Sequence, residues 1–311
     1  MIGPRQRLVA AAAAIALLAG CGGPVPGQVT QAAPPVTSPV ATSGRVLPVA
    51  PLAVRSGPSA PGPRITSVAN FRDVAGDGPG LKLTDGTRMA VGVVYRSARL
   101  KPISAADKRR LEKAGITDIY DLRTPAVVKK APDPAIKGAT WHASNIFAVK
   151  ATAAVKPASV AKAKAHMKSV NRRFVSDPAQ RKAIGRVLRG IAGDKGPVLV
   201  HCTEGKDRTG WISAILQLTA GASEKTVIGE YLLSNSYRKA LIEQDVAKAK
   251  RSGGAKAAAI KRALVQVDAS YLKAGLSELK KRYGSLNRYL TKGLGLSTST
   301  VMSLRTQLRA G

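Results

Sequence analysis

One stretch of this chain constrains its fold more than any other. An apolar run, Pro197–Val200, enters a short polar loop that leads into a helix-like segment, Thr209–Thr219. A continuous apolar run of this length is typical of a strand buried on both faces. Gly221 stands where a helix C-cap is expected. The stretch therefore predicts a core strand joined tightly to a core helix.

A second pattern upstream supports an α/β domain. Val91–Tyr95 and Ile116–Leu122 are short β-branched runs, and between them Ser104–Asp107 has the spacing of a capping box before Leu111. Strand, helix and strand in this order form a βαβ signal. We therefore expect a central, mainly parallel sheet flanked by helices.

Helices are predicted over much of the remaining chain. The segment Val149–Val175 is rich in Ala and Lys, and Ser176–Pro178 restarts a helix with proline in its first turn. The C-terminal region also reads as helical, with Ser252–Gly254 as its weakest point. Its apolar clusters are Val227–Leu233, Ile260–Val267 and Leu286–Leu290.

The N-terminus has the layout of a signal peptide over residues 1–20. Arg5 and Arg7 precede an apolar run, Leu8–Ala19, that is too short to span a bilayer comfortably. The sequence Leu-Ala-Gly-Cys that ends at Cys21 resembles the bacterial lipobox. That resemblance implies a lipoprotein whose acylated Cys21 anchors it to the outer face of the cell membrane, which would leave Cys202 as the lone free thiol.

Composition divides the rest of the chain into a tether and a domain. Residues 21–63 are dense in Pro and contain no acidic residue, which predicts a disordered linker. Residues 64–311 are expected to form the folded domain.

Charge is strongly positive, with 50 Lys plus Arg against 18 Asp plus Glu, a net of +32. Such a surface attracts anionic headgroups, wall polymers or phosphorylated ligands. A solvated basic surface explains the charge equally well, and no specific nucleic-acid site is predicted.

The loop after the core strand has the composition of an anion site. A cysteine there, Cys202, would lie among the outward-pointing amides of a helix N-terminus, and this environment lowers a thiol pKa. His201 and Lys206 act in the same direction. Arg208 offers a planar fork that matches two phosphate oxygens, and Gly205 permits close backbone approach.

These residues favour attack of sulfur on phosphorus, with a phosphocysteine intermediate that water hydrolyses. Thr209 is placed to donate its hydroxyl to the sulfur when it leaves. A Walker A loop is excluded because Val200 stands at its first glycine and Asp207 at its Ser or Thr. Three histidines without a second cysteine at ligand spacing predict no metal, and no cofactor is expected.

The motif His201-Cys202-x5-Arg208-Thr209-Gly210 resembles the signature of cysteine-dependent protein tyrosine phosphatases, and G-K-D-R-T-G resembles their atypical bacterial PtpB-like branch. The resemblance implies a tyrosine/dual-specificity phosphatase-like fold with helical insertions, and hydrolysis of phosphotyrosine in proteins. It leaves open dual-specificity or phosphoinositide substrates. Further pieces that match the branch are A-N-F-R-D-V-A-G from Ala69, V-Y-R-S-A-R-L from Val94, D-L-R-T from Asp121 and G-E-Y-L-L-S-N from Gly229.

The same resemblance implies roles for single residues. Cys202 would be the nucleophile and Arg208 the phosphate clamp, with His201 and Thr209 in support. The phosphate would be bound by the loop residues Thr203, Glu204, Gly205, Lys206, Asp207 and Arg208.

The general acid is less defined. Asp207 in the loop is the first candidate, and Asp121 and Asp73 are the alternatives. Both alternatives have a structural explanation, in which the carboxylate pairs with a nearby arginine. The arginines available for such pairs are Arg123, Arg72 and Arg96.

Several flanking residues carry weaker predictions. Glu204 should point to solvent, because a carboxylate facing the phosphate would repel it. Lys206 either binds an additional phosphate or lies at the rim in solvent. Trp141 and Trp211 are expected in the core, His142 and His166 are expected to be ordinary histidines, and the helices of 149–173 are candidates for a lid.

Two other classes of function stay open from sequence. One is a protein that binds phosphorylated ligands without turnover. The other is a basic surface lipoprotein that binds anionic polymers and whose loop is vestigial.

Overall fold

A computed structural model describes residues 62–150 and 155–310. The predicted signal peptide, Cys21 and nearly all of the predicted linker lie outside these residues, so those predictions stay predictions. Within the described ranges, no helix combines the length and the apolar character that a membrane span requires.

The sheet has five strands in the order β1-β2-β5-β3-β4. The first pair is antiparallel and the other three pairs are parallel, which confirms the predicted α/β class with a mainly parallel sheet. The strands are β1 Arg72–Asp73, β2 Val94–Ser97, β3 Asp118–Asp121, β4 Thr140–Ala143 and β5 Val198–His201.

Strand β5 occupies the centre, as the apolar run predicted. Val198 and Val200 pack into one hydrophobic core and Leu199 packs into the other, so both faces of the strand are covered. His201 is paired with Ser97 on one side and Asp121 on the other. The carboxyl ends of three neighbouring parallel strands therefore meet where the loop after β5 begins, which is where α/β sheets place their ligands.

The predicted helix boundaries near the sheet are largely confirmed. The Ser104 hydroxyl accepts a hydrogen bond from the Asp107 amide at 3.1 Å and caps the first helix. Asp177 caps the helix that starts with Pro178. Gly221 ends the helix after the loop with a φ of +109°. The helices concerned are α1 Ala105–Lys113, α2 Pro125–Lys130, α3 Val160–Ser176, α4 Pro178–Gly193 and α5 Arg208–Ala220.

The C-terminal region is helical, as predicted, and its long helix α8 is broken at Gly253 and Gly254, where the backbone leaves helical geometry. This confirms the weak point expected there. The elements are α6 Glu224–Leu232, α7 Ser234–Tyr237, α8 Lys239–Val265, α9 Ala269–Tyr283, α10 Leu286–Arg288, a π-helical turn Tyr289–Gly293 and α11 Thr298–Gln307.

Helix α3 begins at Val160, later than the Ala/Lys-rich composition predicted. It packs against α4, α8 and α9. Near its end, the Phe174 ring stacks on Trp211 with 5.7 Å between centroids. The lid function of 149–173 stays a prediction.

The two tryptophans differ. Trp211 is fully buried, which confirms the prediction that it belongs to the core, whereas Trp141 is 45% exposed and the prediction for it is wrong. The reason is topological: Trp141 lies on β4, an edge strand on which no residue is buried.

Candidate active site

The loop between β5 and α5 wraps its backbone around one sulfur atom. Cys202 is only 2% exposed, and the Gly205 amide donates to its Sγ at 3.3 Å. The amides of Glu204 and Thr209 also stabilise the sulfur. Gly205 adopts a left-handed φ of +66°, which a residue with a Cβ rarely does. The predicted anion cradle is therefore present around Cys202.

The electrostatic environment favours the thiolate. Burial alone would raise the pKa of Cys202, but the Arg208 charge and the Thr209 hydroxyl and amide outweigh it and hold that pKa below its ordinary value. The thiolate, and not the thiol, is the form of cysteine that attacks electrophiles.

Arg208 is fixed before any ligand binds. Its Nη1 donates to the Leu122 carbonyl at 3.0 Å, and its Nη2 donates to the Thr203 hydroxyl at 3.1 Å. The guanidinium also lies 4.6 Å from the centroid of the Phe147 ring. This contact of Phe147 was not predicted from sequence, because nothing in the local pattern indicates that Phe147 belongs to the site. These three contacts pre-organise the fork that a phosphate dianion would meet.

A buried ion cluster supports the loop from one side, and we call it the Glu230 cluster. Glu230 pairs with Arg72 at 2.6 Å and with Arg96 at 2.8 Å. Arg96 also donates to the Gly205 carbonyl at 2.9 Å, and Asn70 donates to the same carbonyl at 2.8 Å. The cluster therefore holds the carbonyl of Gly205, the residue whose amide faces the sulfur.

The role of Glu230 was missed from sequence. A signal was present, because Glu230 is a single acid within the apolar run V-I-G-E-Y-L-L, and such a residue is rarely buried without a partner.

A second buried cluster, the Arg123 cluster, lies on the other side of β5. Arg123 pairs with Asp121 at 2.7 Å and with Asp133 at 2.5 Å, and His201 lies 3.2 Å from Asp133. Burial would lower the pKa of His201, but the hydrogen bond to Asp133 and the charges of Asp121 and Asp133 raise it overall. Asp133 was also missed from sequence.

In the described part of the chain, the one group with metal-ligand geometry is Asp121, Asp133 and His201. The Arg123 guanidinium already contacts both of its carboxylates. Because that cation already pairs with both carboxylates, the group is better described as an ion-pair cluster than as a metal centre.

Comparison with known proteins identifies this architecture. A profile of the tyrosine phosphatase family matches residues 63–310. The chain belongs to the tyrosine phosphatase family. It is therefore a phosphatase, a hydrolase, and the hypotheses of a non-catalytic binding protein and of a vestigial loop are not supported.

Two curated relatives are similar to this phosphatase over most of their length. One, from Cupriavidus necator, carries the name "Putative tyrosine-protein phosphatase" and is 32% identical over 79% of this chain and 87% of its own. The other, from Mycobacterium tuberculosis, carries the name "Triple specificity protein phosphatase PtpB" and is 27% identical over 76% of this chain and 95% of its own.

The remaining loop residues of the phosphatase face neighbouring elements. Lys206 is 2% exposed, and its ammonium donates to the Leu264 carbonyl at 2.8 Å and pairs with Asp207 at 2.9 Å. It is therefore not the solvated rim lysine of one prediction, because helix α8 covers it. Glu204 is partly exposed but pairs with Arg238 at 3.3 Å, so the prediction that it points to solvent holds only in part.

The two alternative acids sit differently from Asp207. Asp121 is fully buried against Arg123, as the structural explanation for it predicted. Asp73 pairs with neither Arg72 nor Arg96, and that prediction is wrong because Glu230 binds both guanidinium groups.

The carboxylate of Asp73 instead accepts hydrogen bonds from the amides of Ala75 at 2.8 Å and Gly92 at 2.5 Å. Gly92 precedes the first residue of β2, whereas Cys202 follows the last residue of β5, which is parallel to β2. Asp73 therefore lies at the amino end of these strands and Cys202 at their carboxyl end. Burial raises the pKa of Asp73 to about 7, although both amides lower it.

The other two histidines lie outside the loop. His142 contacts the Asp118 carboxylate at 2.7 Å and stacks on Tyr120, while His166 lies half-buried on α3. Both fit the expectation of ordinary histidines.

Proposed function

We propose that this phosphatase hydrolyses phosphotyrosine in proteins through a phosphocysteine on Cys202. The observation that carries the proposal is the Cys202 sulfur beside the Gly205 amide, together with a pre-oriented Arg208 whose charge lowers the pKa of the thiol. Sulfur attacks phosphorus and the bond to the tyrosyl oxygen breaks. Water then attacks the phosphocysteine, phosphate leaves, and the thiolate is restored.

Asp207 is the proposed general acid. Its side chain is 19% exposed, whereas Asp121 is fully buried and Asp73 lies at the opposite, amino end of the parallel strands. One carboxylate oxygen of Asp207 is oriented by Lys206 at 2.9 Å. In the first step Asp207 gives its proton to the leaving phenoxide. In the second step the same carboxylate takes a proton from the attacking water.

The substrate class is supported by both relatives, whose names describe protein phosphatases. The words "triple specificity" in one name favour a second candidate, in which more than one class of phosphorylated substrate is accepted. The Lys206 ammonium is already bound to Leu264 and Asp207, so it lends no support to an additional phosphate of a phosphoinositide.

The test compares two aryl phosphates that differ in leaving group. The parent should hydrolyse both p-nitrophenyl phosphate and phenyl phosphate, and Cys202→Ser should hydrolyse neither. Asp207→Asn should lose about 10²- to 10⁴-fold in kcat/KM on phenyl phosphate, whose leaving group needs a proton, and much less on p-nitrophenyl phosphate. Asp121→Asn is the matched control, and an equal loss in both variants would remove Asp207 from the role of acid.

For localisation, we propose that the protein is exported and anchored through an acylated Cys21. The support is the lipobox-like sequence that ends at Cys21 and the Pro-rich segment after it. Radiolabelled palmitate should be incorporated into the parent and not into Cys21→Ser. Equal labelling of the two proteins would contradict the anchor.

A further inference from the structure

A groove lies beside the catalytic loop and shares residues with it. Its volume is about 430 Å³. Thr203 and Glu204 of the catalytic loop line the groove, and Thr203 also holds Arg208 through its hydroxyl. The outer walls come from the loop after β2 and the first turns of α8, with Arg99, Lys101, Pro102, Arg238, Leu241 and Asp245.

One wall of the groove carries two cations without a counter-ion. Arg99 and Lys101 are exposed, and among the described residues neither forms a salt bridge. The backbone amide of Arg99 donates to the Thr203 carbonyl at 3.4 Å. Its Nε donates to the Lys101 carbonyl at 3.1 Å. The guanidinium is therefore tethered next to the catalytic loop.

The opposite wall is already neutralised. Glu204 pairs with Arg238 at 3.3 Å, and Asp245 pairs with Lys261 at 3.7 Å. Leu241, also on this wall, is 45% exposed and offers an apolar surface. The groove thus has an uncompensated positive side and a mixed apolar side.

We propose that this groove binds the residues that flank phosphotyrosine in a protein substrate, and that Arg99 and Lys101 select an acidic side chain there. The inference rests on the proposed function. An acid one or two residues from the phosphotyrosine lies about 3–7 Å along an extended chain, which suits a groove that starts at the catalytic loop. Complementary charge at such a site gives specificity more than raw affinity.

A peptide suits the groove better than a polyphosphorylated inositol ring. The ring carries negative charge on several sides, whereas the uncompensated cations of the groove lie on one wall and the opposite wall is neutralised and partly apolar. A peptide presents its acid to one wall and an apolar side chain to Leu241, which matches the uneven distribution of charge in the groove.

The test uses the full chain and five substrates. They are p-nitrophenyl phosphate, a phosphotyrosine peptide flanked by Glu, the same peptide flanked by Gln or by Lys, and a soluble inositol polyphosphate. The parent should prefer the Glu peptide, and the preference should weaken with salt. Arg99→Gln/Lys101→Gln should lose about 3- to 10-fold in kcat/KM on the Glu peptide alone, since exposed charge contacts are individually small.

Two further variants sharpen the test. Lys281→Gln/Arg305→Gln removes the same two residue types from exposed positions outside the groove, and it should behave as the parent. Arg99→Glu/Lys101→Glu should turn the preference toward a peptide flanked by Lys. Such a reversal cannot result from partial unfolding.

The outcomes separate the two proposals. If p-nitrophenyl phosphate is hydrolysed but the parent treats both peptides alike, the groove proposal is overturned and the proposed function stands. If the groove variant loses turnover of a soluble inositol polyphosphate and not of the Glu peptide, the occupant is the other class of ligand and the proposal is also overturned. If the parent hydrolyses neither the aryl phosphate nor any peptide, both proposals fall together.

Discussion

The two buried ion clusters on either side of Cys202 are built in opposite ways. In the Glu230 cluster, one carboxylate serves two guanidinium groups, those of Arg72 and Arg96. In the Arg123 cluster, one guanidinium serves two carboxylates. Within residues 62–150 and 155–310, the two guanidinium groups of the first cluster have no other carboxylate, whereas Arg123 in the second keeps one carboxylate when the other is removed.

The clusters also reach the catalytic loop by different routes. Arg96 in the Glu230 cluster donates directly to the Gly205 carbonyl inside the loop. The Arg123 cluster contacts His201, the last residue of β5. We therefore expect the Glu230 cluster to control the conformation of the loop, and the Arg123 cluster to control the strand end that carries it.

The largest effect is expected from Glu230→Gln. Two buried guanidinium groups would lose the one carboxylate that pairs with them in the described part of the chain, and breaking a buried pair in this way costs about 3–5 kcal/mol. Asp121→Asn is the matched change in the other cluster, where Arg123 retains Asp133, and it should cost about 1–3 kcal/mol. Urea unfolding of the two variants measures both values. Equal losses would show that the redundancy of the Arg123 cluster has no energetic meaning.

Gly205→Ala tests how far activity depends on the conformation of the catalytic loop. A Cβ at Gly205 would lie 2.4 Å from the Ser97 carbonyl oxygen, and φ is +66°. The loop must shift to relieve this contact. A misplacement of about 1 Å at a catalytic centre costs about 100-fold in kcat/KM. Gly115→Ala shares a φ of +68° with no atom within 4 Å of the added Cβ, so it should lower stability and leave kcat/KM unchanged. Similar kinetics for the two variants would contradict the account.

The smallest effect is a pH dependence in the Arg123 cluster. The pKa of His201 is raised, so the stability that it gains from Asp133 is present below about pH 6.5 and is lost as pH rises through the raised pKa. The pKa of Asp133 is lowered, so its own contribution is present above about pH 4 and is lost only as pH falls through the lowered value.

The measurement is the difference in unfolding free energy between the parent and Asp133→Asn, followed from about pH 5 to about pH 9. It should shrink as pH rises but not vanish, because Asp133 also pairs with Arg123. A difference that stays flat over this range would show that His201 is not charged in the folded protein.

Much of this structure could be predicted from local sequence patterns. The strand before Cys202, the cap at Ser104 and the break at Gly253 and Gly254 depend on neighbouring residues alone, and all three were predicted. The positions of Cys202 and Arg208 at one loop follow from the same kind of signal.

The rest depended on contacts between distant segments. Arg96 and Glu230 are 134 positions apart, so no local pattern could pair them. Trp141 was expected in the core as a large aromatic residue, and no local pattern showed that it lies on the edge strand β4. Lys206 was expected to bind phosphate or solvent because the path of α8 over it, which brings Leu264 to its ammonium, cannot be read from the loop.

The central claim is that the Cys202 sulfur attacks phosphorus, and trapping the intermediate tests it most directly. Asp207→Asn should transfer the phosphoryl group of p-nitrophenyl phosphate to sulfur but release it slowly, because no carboxylate activates the water. After acid quench, mass spectrometry should find one phosphoryl group on Cys202, and none in the Cys202→Ser/Asp207→Asn double variant. A phosphoryl group on any other residue, or undiminished turnover by Cys202→Ser, would contradict the account.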